Sequence, residues 1–421
     1  MFAATNLAGK MEKRLPADLV SLMLMAAKKA ERRRERLYLV GGAVRDLLLH
    51  VTTFDLDLVV EGNAILLAEE LSREIPAQIT THPRFQTAKL KWQNRFSADL
   101  TTARKESYAY PGALPIVETG SLTDDLFRRD FTINAMAISL NPEDYGNLID
   151  PYDGRHDLER KLIRILHRES FIHDATRIWR AVRYAERLNF SLEENTFRLL
   201  RQGINMLDTI SGDRIRYELE CVLQEDFPEK ALNRADELGV LARLNAALKG
   251  NRWLADKFQT ARVISAPEKP PQGLYLALMA FPLTGEETER LISFLHFNRT
   301  VAGIMRDTGE IRGKLVSLNA PGLSPGDIYH LLHGCATIAI QAVSLAADLP
   351  PACERMNLYL NKLRFVRPSL RGEDLKKMGI AEGHHMKEIL GQLLDARLDG
   401  SVTSRKEEET MVREWSHRSG Q

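Results

Sequence analysis

The chain has 421 residues, 44% of them hydrophobic and 27% charged, which predicts an ordered globular protein of two or more domains. Its 58 basic and 57 acidic residues nearly cancel, so any nucleic-acid site must be a local patch. Three widely spaced cysteines, Cys221, Cys335 and Cys353, suit neither a disulfide framework nor a zinc cluster and favour a reducing cytoplasm. Without a run of about 18 apolar residues or an evident secretory leader, we expect no membrane partner.

Strand and helix patterns alternate over the first ~150 residues, which predicts an α/β or α+β domain. The helices are expected at 16–36, 43–50 and 62–74, and the strands at 37–40, 54–60, 87–92, 96–101, 131–140 and 148–150. Residues 101–112 read as a surface loop. After Pro151 apolar residues recur at helical spacing, as in Ile178, Val182 and Ala185, so the rest of the chain is predicted to be helical.

The first chemical motif joins a glycine turn to a pair of carboxylates. Gly41 and Gly42 follow a strand and open a helix, where a backbone can approach a triphosphate and Arg45 can reach a phosphate. Asp55 and Asp57 are two apart on the next strand and share a face, so they repel each other unless a cation such as Mg²⁺ lies between them. A bare Asp-x-Asp is more often structural, but this combination supplies phosphate and metal sites for two-metal phosphoryl transfer.

Two further groups add polar side chains to this region. Asp99 ends another predicted strand and is either a third carboxylate or an ordinary polar strand end. In the run 128–135 (RRDFTINA), Arg129 suits a phosphate, whereas Asp130 and Asn134 can contact sugar hydroxyls. The competing interpretation of this run is a charged cap on a buried helix.

A third motif spaces one acid and three arginines three residues apart. Asp174, Arg177, Arg180 and Arg183 would form one polar stripe on a helix. A solvated face is the simpler explanation. However, an Asp and an Arg offer acceptors and donors that match the Watson–Crick edge of a base, which would allow a nucleotide to be chosen without a template.

Taken together, the motifs resemble those of the class II tRNA nucleotidyltransferases, the family of CCA-adding enzymes and bacterial poly(A) polymerases. The matching segments are 39–46 (LVGGAVRD), 55–57 (DLD), 128–135 (RRDFTINA), 150–154 (DPYDG), 174–183 (DxxRxxRxxR) and, more weakly, 211–219 (SGDRIRYEL) and 370–375 (LRGEDL). Five strong motifs in the family's order make a chance match untenable.

The resemblance implies an α+β fold with a polymerase-β-like nucleotidyltransferase head, a mixed sheet with helices, followed by an all-helical neck, body and tail. We expect the catalytic head at 1–160, the nucleotide-selecting neck at 161–230, and the tRNA-binding body and tail at 231–421. The implied metal ligands and catalytic carboxylates are Asp55 and Asp57, with Mg²⁺ as cofactor. The implied nucleotide-binding residues are Gly42, Arg45 and Arg129 at the triphosphate, Asp130 and Asn134 near the ribose, Asp174 and Arg177 at the base, and Arg180 and Arg183 in support.

The implied activity is addition of CTP- or ATP-derived nucleotides to the acceptor end of tRNA, as CCA, as CC only or as A only. His173 stands where the family commonly has an acidic residue, which leaves the balance between CTP and ATP open. The alternatives are a poly(A) polymerase, whose long basic C-terminal extension is not seen, and a non-catalytic RNA-binding module. A metal phosphohydrolase is a further alternative, suggested by the His156-Asp157 and His173-Asp174 pairs.

Overall fold

The computed structural model describes residues 5–52, 54–93 and 96–418. The chain divides into two compact units, residues 1–219 and 220–421, here called unit 1 and unit 2. The finer division of the chain at residues 160 and 230 stays a prediction.

Unit 1 is built on a mixed seven-stranded sheet in the order β3-β4-β5-β2-β1-β8-β9. Strands β2 and β5 run parallel, whereas the other neighbouring pairs are antiparallel. The strands are β1 Arg36–Val40, β2 Asp55–Glu61, β3 Gln78–His82, β4 Thr87–Trp92, β5 Phe96–Thr102, β6 Arg104–Ser107, β7 Ile116–Thr119, β8 Ala137–Ser139, β9 Leu148–Ile149, β10 Leu162–Ile163 and β11 Ser191–Leu192. The predicted mixed sheet in the first part of the chain is therefore confirmed.

The alternation of side chains along β1 and β2 separates the core from the functional face. Leu56 and Leu58 lie in the larger hydrophobic cluster, which contains residues of α2 and α4. Val59 lies in a smaller cluster on the opposite face. Because successive side chains of a strand point to opposite faces, Asp55 and Asp57 share the face of Val59. The helices of unit 1 are α1 Ala8–Arg14, α2 Ala17–Arg32, α3 Gly42–Leu48, α4 Ala64–Ser72, α5 Leu122–Phe127, α6 Gly154–Glu159, α7 Ser170–His173, α8 Thr176–Leu188, α9 Glu194–Gly203 and α10 Gly212–Leu223, whose last turn continues past residue 219.

Unit 2 is helical throughout its described residues, as the sequence predicts. Its helices are α11 Pro228–Glu237, α12 Arg252–Ser265, α13 Gln272–Ala280, α14 Gly285–Leu295, α15 Arg299–Gly313, α16 Leu315–Asn319, α17 Pro325–Leu332, α18 Thr337–Ala346, α19 Pro350–Asn361, α20 Gly372–Lys377, α21 His384–Leu398 and α22 Arg405–Arg418. Among the described residues, no single helix has the length and apolarity that a membrane crossing requires, although the sharply bent pair α17–α18 meets the criterion jointly.

Two predicted elements differ from the structure. Residues 131–140 are not one strand, because Thr132–Asn134 forms a 3₁₀ turn and only Ala137–Ser139 joins the sheet. The turn arises because Asp130 Oδ1 accepts hydrogen bonds from the Phe131 N–H and from Asn134 Nδ2. The predicted loop after residue 101 contains β6, which pairs with β7 in a short antiparallel hairpin.

Candidate functional site

Three carboxylates meet where β2 and β5 lie side by side. The parallel register places Asp57 opposite Asp99 and Asp55 opposite Ser97. Asp55 is exposed and accepts a hydrogen bond from the Ser97 hydroxyl, whereas Asp57 is half-buried. The structure therefore brings Asp99 next to the predicted pair, a neighbour that spacing within one strand could not reveal.

The electrostatics of this edge favour a cation. Burial raises the pKa of Asp57, and Asp99 and Asp55 raise it further, against the opposing effect of Arg129. Lys89 Nζ lies 2.8 Å from Asp99 Oδ2. Carboxylate oxygens are hard donors of the kind that divalent cations such as Mg²⁺ take. The described residues contain no cage of three or more His, Cys, Asp or Glu side chains, so a divalent ion here would complete its shell with water and substrate oxygens.

The glycine turn brings an arginine up against these carboxylates. Gly41 has φ of 70°, and a Cβ at that position would lie 2.6 Å from Arg129 Nη1 and 3.4 Å from Asp57 Oδ2. Only glycine leaves this space open. Asp125, which is fully buried, accepts a hydrogen bond of 3.0 Å from Arg129 Nη2 and holds the guanidinium in place.

Arg45 is buried beside the glycine turn. Its side chain is buried, donates to Asn134 Oδ1 at 2.6 Å and to Asp46 Oδ1 at 2.8 Å, and lies over the Tyr184 ring. The guanidinium does not line the cavity described below. In this position Asp46 neutralises the guanidinium charge, and the Asn134 amide oxygen accepts a hydrogen bond from it. Arg45 therefore fixes the orientation of the Asn134 side chain.

Asp130 links the sheet region to helix α8. Its Oδ2 accepts two hydrogen bonds from Arg180, at 2.9 and 2.6 Å, and its Oδ1 accepts one from Asn134 at 3.0 Å. Burial would raise the pKa of this carboxyl, but Arg180 and Asn134 outweigh burial and lower the pKa to about 2. Asp130 is therefore ionised at neutral pH and fixes the position of Arg180.

The predicted stripe of one acid and three arginines is only partly helical. Asp174 has an extended backbone and precedes α8, while the three arginines lie within it. The stripe is not a solvated face, since Arg177 and Arg183 are buried. Asp174 leaves the helical line because its Oδ1 accepts hydrogen bonds from Thr176 and, at 2.7 Å, from Arg214.

Arg177 is held rigidly at the start of the helix. Its Nη1 donates to Ser170 Oγ and its Nη2 to the Arg128 carbonyl, both at 2.6 Å. Arg183 lies deeper, with its guanidinium 5.0 Å from the Tyr184 ring centre and 3.5 Å from Glu218. Arg177 lines the cavity described next, whereas Arg183 does not.

Most of the side chains described above line an open cavity of about 520 Å³ in unit 1. The predicted residues on its wall are Gly42, Asp57, Asp99, Arg129, Asp130, Asn134, Asp174, Arg177 and Arg180. Asp55 lines a neighbouring cavity beside Ser97 and Lys89 instead. The wall residues that the motifs did not single out include Arg104, Glu106, Tyr108, Arg128, Tyr184 and Arg214. Two of them were within reach of sequence reasoning: Tyr184 is four residues after Arg180, and Arg214 lies in the segment 211–219.

The two His-Asp pairs do not form a metal site. His173 stacks on Tyr108, with ring centres 4.9 Å apart, and lines a second cavity next to the first. The Asp157 carboxylate is occupied by the Thr132 hydroxyl at 2.7 Å and by Arg164 at 2.9 Å. The position at which His173 departs from the family pattern therefore lies outside the wall of the main cavity.

Comparison with known proteins agrees with this geometry. Residues 37–164 match the family described as the poly A polymerase head domain, and residues 189–249 match a probable RNA- and SrmB-binding site of polymerase A. The A-adding tRNA nucleotidyltransferase of Geobacter sulfurreducens is 32% identical and covers 94% of this chain. The A-adding enzyme of Halalkalibacterium halodurans is 30% identical, covering 98% of this chain and 96% of that protein. The chain spans about half the length of the first relative, 47%, and nearly all of the second.

A solved structure extends the comparison to three dimensions. The Thermotoga maritima CCA-adding enzyme complexed with tRNA matches with a TM-score of 0.77 at 29% identity. The match covers 98% of this chain and 99% of that one.

Proposed function

This chain belongs to the tRNA nucleotidyltransferase family, and we propose that it adds a nucleotide to the 3′ end of tRNA, with the terminal adenosine as its product. The observation that carries the proposal is the single cavity that joins Asp57 and Asp99 to Asp174 and Arg177. Such a cavity combines a metal-binding edge with a group that can select a base. Adenosine is proposed over cytidine because the two sequence relatives compared above, one of them over nearly its full length, are A-adding enzymes, whereas the solved structure compared above is that of a CCA-adding enzyme.

The family implies a divalent metal, and we propose Mg²⁺ on Asp55 and Asp57, with Asp99 beside them. When bound, the metal would lower the pKa of the attacking 3′-hydroxyl and neutralise charge on the phosphates. Arg129, held by Asp125 against the glycine turn, binds the triphosphate with a permanently charged fork. Gly42 lets the backbone approach the phosphates. Pyrophosphate would leave along this side of the cavity.

The base would be read by two side chains that are fixed before the nucleotide arrives. Within the part of the chain that the structure describes, the hydrogen bonds of Asp174 fall on Oδ1, which leaves Oδ2 available. A carboxylate accepts from the exocyclic amino group of adenine or cytosine. Arg177 can donate to the neighbouring ring nitrogen. Asp130 and Asn134 lie on the wall where the ribose would rest, and Arg180 is held there by Asp130. Because both bases offer this donor–acceptor pair, the choice must depend on the larger size of adenine and on the O2 acceptor that only cytosine carries.

Incorporation of labelled nucleotides tests the proposal directly. Labelled ATP and CTP would be supplied separately and together, with MgCl₂, to tRNA transcripts that end at the discriminator base, after C and after CC. We expect AMP on the transcript that ends in CC and no CMP on any transcript. Addition of CMP would show that the activity is CC- or CCA-addition and not A-addition. Long A tails on an oligo(A) control would indicate a poly(A) polymerase. No incorporation would leave only an RNA-binding role. The cysteine content still predicts that the reaction takes place in the cytoplasm.

A further inference from the structure

A second built cavity lies in the helical unit 2. It has a volume of about 410 Å³, opens to solvent and lies among α12, α13, α16 and the end of α18. Apolar side chains of these helices, such as Leu254, Leu278 and Leu315, form most of its wall. The volume falls in the range of cavities that bind one small molecule or one protruding group of a larger ligand. None of its wall residues belongs to the cavity in unit 1.

The cavity contains a pair of stacked aromatic rings, each accompanied by a cation. The Trp253 and Phe281 rings are 5.8 Å apart at an interplanar angle of 25°. Lys257 Nζ lies 5.9 Å from the Trp253 ring centre, and the Arg312 guanidinium lies 5.9 Å from that of Phe281. Arg312 also donates to the Phe281 carbonyl, which fixes both residues. Trp253 is only half-buried, and both rings line the cavity.

The rim carries exposed positive charge. Lys249 lies on the cavity wall and its side chain is 53% exposed. Arg252 is not a wall residue, but it lies between the wall residues Asn251 and Trp253 in the chain, and its side chain is 94% exposed. Their acidic neighbours are at 3.6 Å and 3.9 Å, on Asp236 and Asp256, and ion pairs of this length at a surface hold a charge only weakly. The wall also carries one acid, Asp348, which pairs with Lys257 at 3.6 Å. Because its side chain is 88% exposed, solvent screens its negative charge. A ligand with a flat apolar part and a negative group therefore fits this cavity.

We propose that this cavity binds one unpaired nucleobase of an RNA, which stacks on Trp253 while its phosphate lies against Lys249 and Arg252. Aromatic platforms beside cations are the general means by which proteins hold unstacked bases. The segment that matches a probable RNA-binding site ends at Lys249, on the rim. A purely apolar ligand would leave the cations at the rim unused. The inference rests on the proposed function only in so far as tRNA is the RNA concerned.

The Trp253→Ala variant of the full chain tests the stack, with Trp253→Phe as the matched control. The affinity for a fluorescent tRNA transcript ending in CC would be measured by anisotropy without nucleotide or metal, and folding would be checked by thermal unfolding. Loss of one base–aromatic stack predicts an affinity about 10-fold weaker for Trp253→Ala, and a change of less than about twofold for Trp253→Phe. In the nucleotide-addition assay, KM for tRNA should rise while kcat stays unchanged.

A second variant keeps the test valid if Trp253→Ala does not fold. Lys249→Glu reverses one rim charge and should weaken tRNA binding, whereas Lys13→Glu, the same charge reversal on the exposed face of α1, should not. Ultraviolet crosslinking to a 4-thiouridine-substituted transcript should map to peptides containing Trp253 or Phe281. Unchanged affinity in folded Trp253→Ala, or equal effects of the two lysine variants, overturns the pocket while nucleotide addition by the wild-type protein still stands. Absence of addition by the wild-type protein, with these binding effects intact, overturns the proposed function and not the pocket.

Discussion

At the scale of single residues, Asp130 is the point where the sheet region and helix α8 meet, through two hydrogen bonds to Arg180 and one to Asn134. Its carboxyl pKa falls from 3.8 to about 2. A depressed carboxyl pKa means that the folded state binds the proton less tightly than the unfolded chain. The contribution to the free energy of unfolding is therefore complete above pH 4 and is lost as pH falls through about 2.

We expect Asp130→Asn to lower the free energy of unfolding by about 2 kcal/mol at pH 6, which is the equivalent of the lowered pKa. At pH 3 the difference from the wild-type protein should fall to about half. Urea unfolding at both values of pH checks this. Glu118→Gln, which removes an exposed carboxylate 4.0 Å from Lys105, serves as control and should change stability by less than about 0.5 kcal/mol. A difference that is independent of pH would refute the ion pair.

Asp57→Asn should reduce nucleotide incorporation at least ~100-fold, because a metal-bound carboxylate stabilises the transition state by several kcal/mol. The substitution should not lower the free energy of unfolding of the metal-free protein. Burial and two neighbouring carboxylates raise the pKa of Asp57, so its charge disfavours the metal-free fold. The free-energy advantage of the variant in EDTA should therefore grow as pH rises from 4 to 7. Retained turnover in a folded variant would contradict the assignment of Asp57.

At the scale of elements, the loop between β6 and β7 is docked against the segment 204–219. Gly112 has φ of 76°, and a Cβ there would lie 2.4 Å from the Thr209 carbonyl oxygen. Arg214 donates to the Gly112 carbonyl at 3.4 Å and to Asp174 at 2.7 Å. One arginine thus ties the loop to the acid that would read the base.

Gly112→Ala should raise KM for ATP several-fold, because the loop must move away from Thr209 and take Arg214 with it. Gly239 provides the matched control, since its φ is 81° but a Cβ would meet nothing within 4 Å. Both variants should lose about 1 kcal/mol of stability from the left-handed backbone. Steady-state kinetics and unfolding of the two variants separate the effects, and equal KM values would refute the docking role of the loop.

The elements that periodicity could predict are those with one buried face. Helix α2 and strands β1 and β2 were placed within a few residues, because their apolar side chains recur at regular spacing. Strand β3 was missed because all five of its residues are exposed, so it has no alternation of apolar and polar residues. The hairpin of β6 and β7 was missed because its strands are mostly polar, and its side chains pair with Arg128 and with each other.

The site was predictable where its chemistry is local in the chain. The carboxylates of β2 follow from their spacing on one strand, whereas the roles predicted for Asp174 and Arg177 depend on their spacing together with the family resemblance. Contacts between distant segments do not, and these include the pairing of Asp57 with Asp99 and the bond from Arg214 to Asp174. The sequence also does not reveal the direction in which a side chain points. Arg45, for example, is buried in the structure.

At the scale of the whole molecule, the net charge of +1 provides no general attraction to RNA. Binding must then come from local arrays such as Lys249 and Arg252. We expect the affinity for tRNA to fall steeply with salt, with a slope of log affinity against log salt of about −3 or steeper, since each phosphate contact contributes about −0.7 to −0.9. Anisotropy titrations between 50 and 300 mM KCl measure the slope. A slope near zero would refute a phosphate-bound complex.

The ion pair between Asp130 and Arg180 joins residues that are 50 positions apart, and the bond from Arg214 to Asp174 spans another 40. A ribosome that adds 5–20 residues per second needs about 3 to 10 seconds to pass from Asp130 to Arg180. During synthesis, the sheet edge with its carboxylates therefore emerges well before the arginines that complete the base-reading wall. The hydrogen bond that fixes Asp174 can form only after Arg214 has been synthesised, when the carboxylate edge of the sheet is already complete.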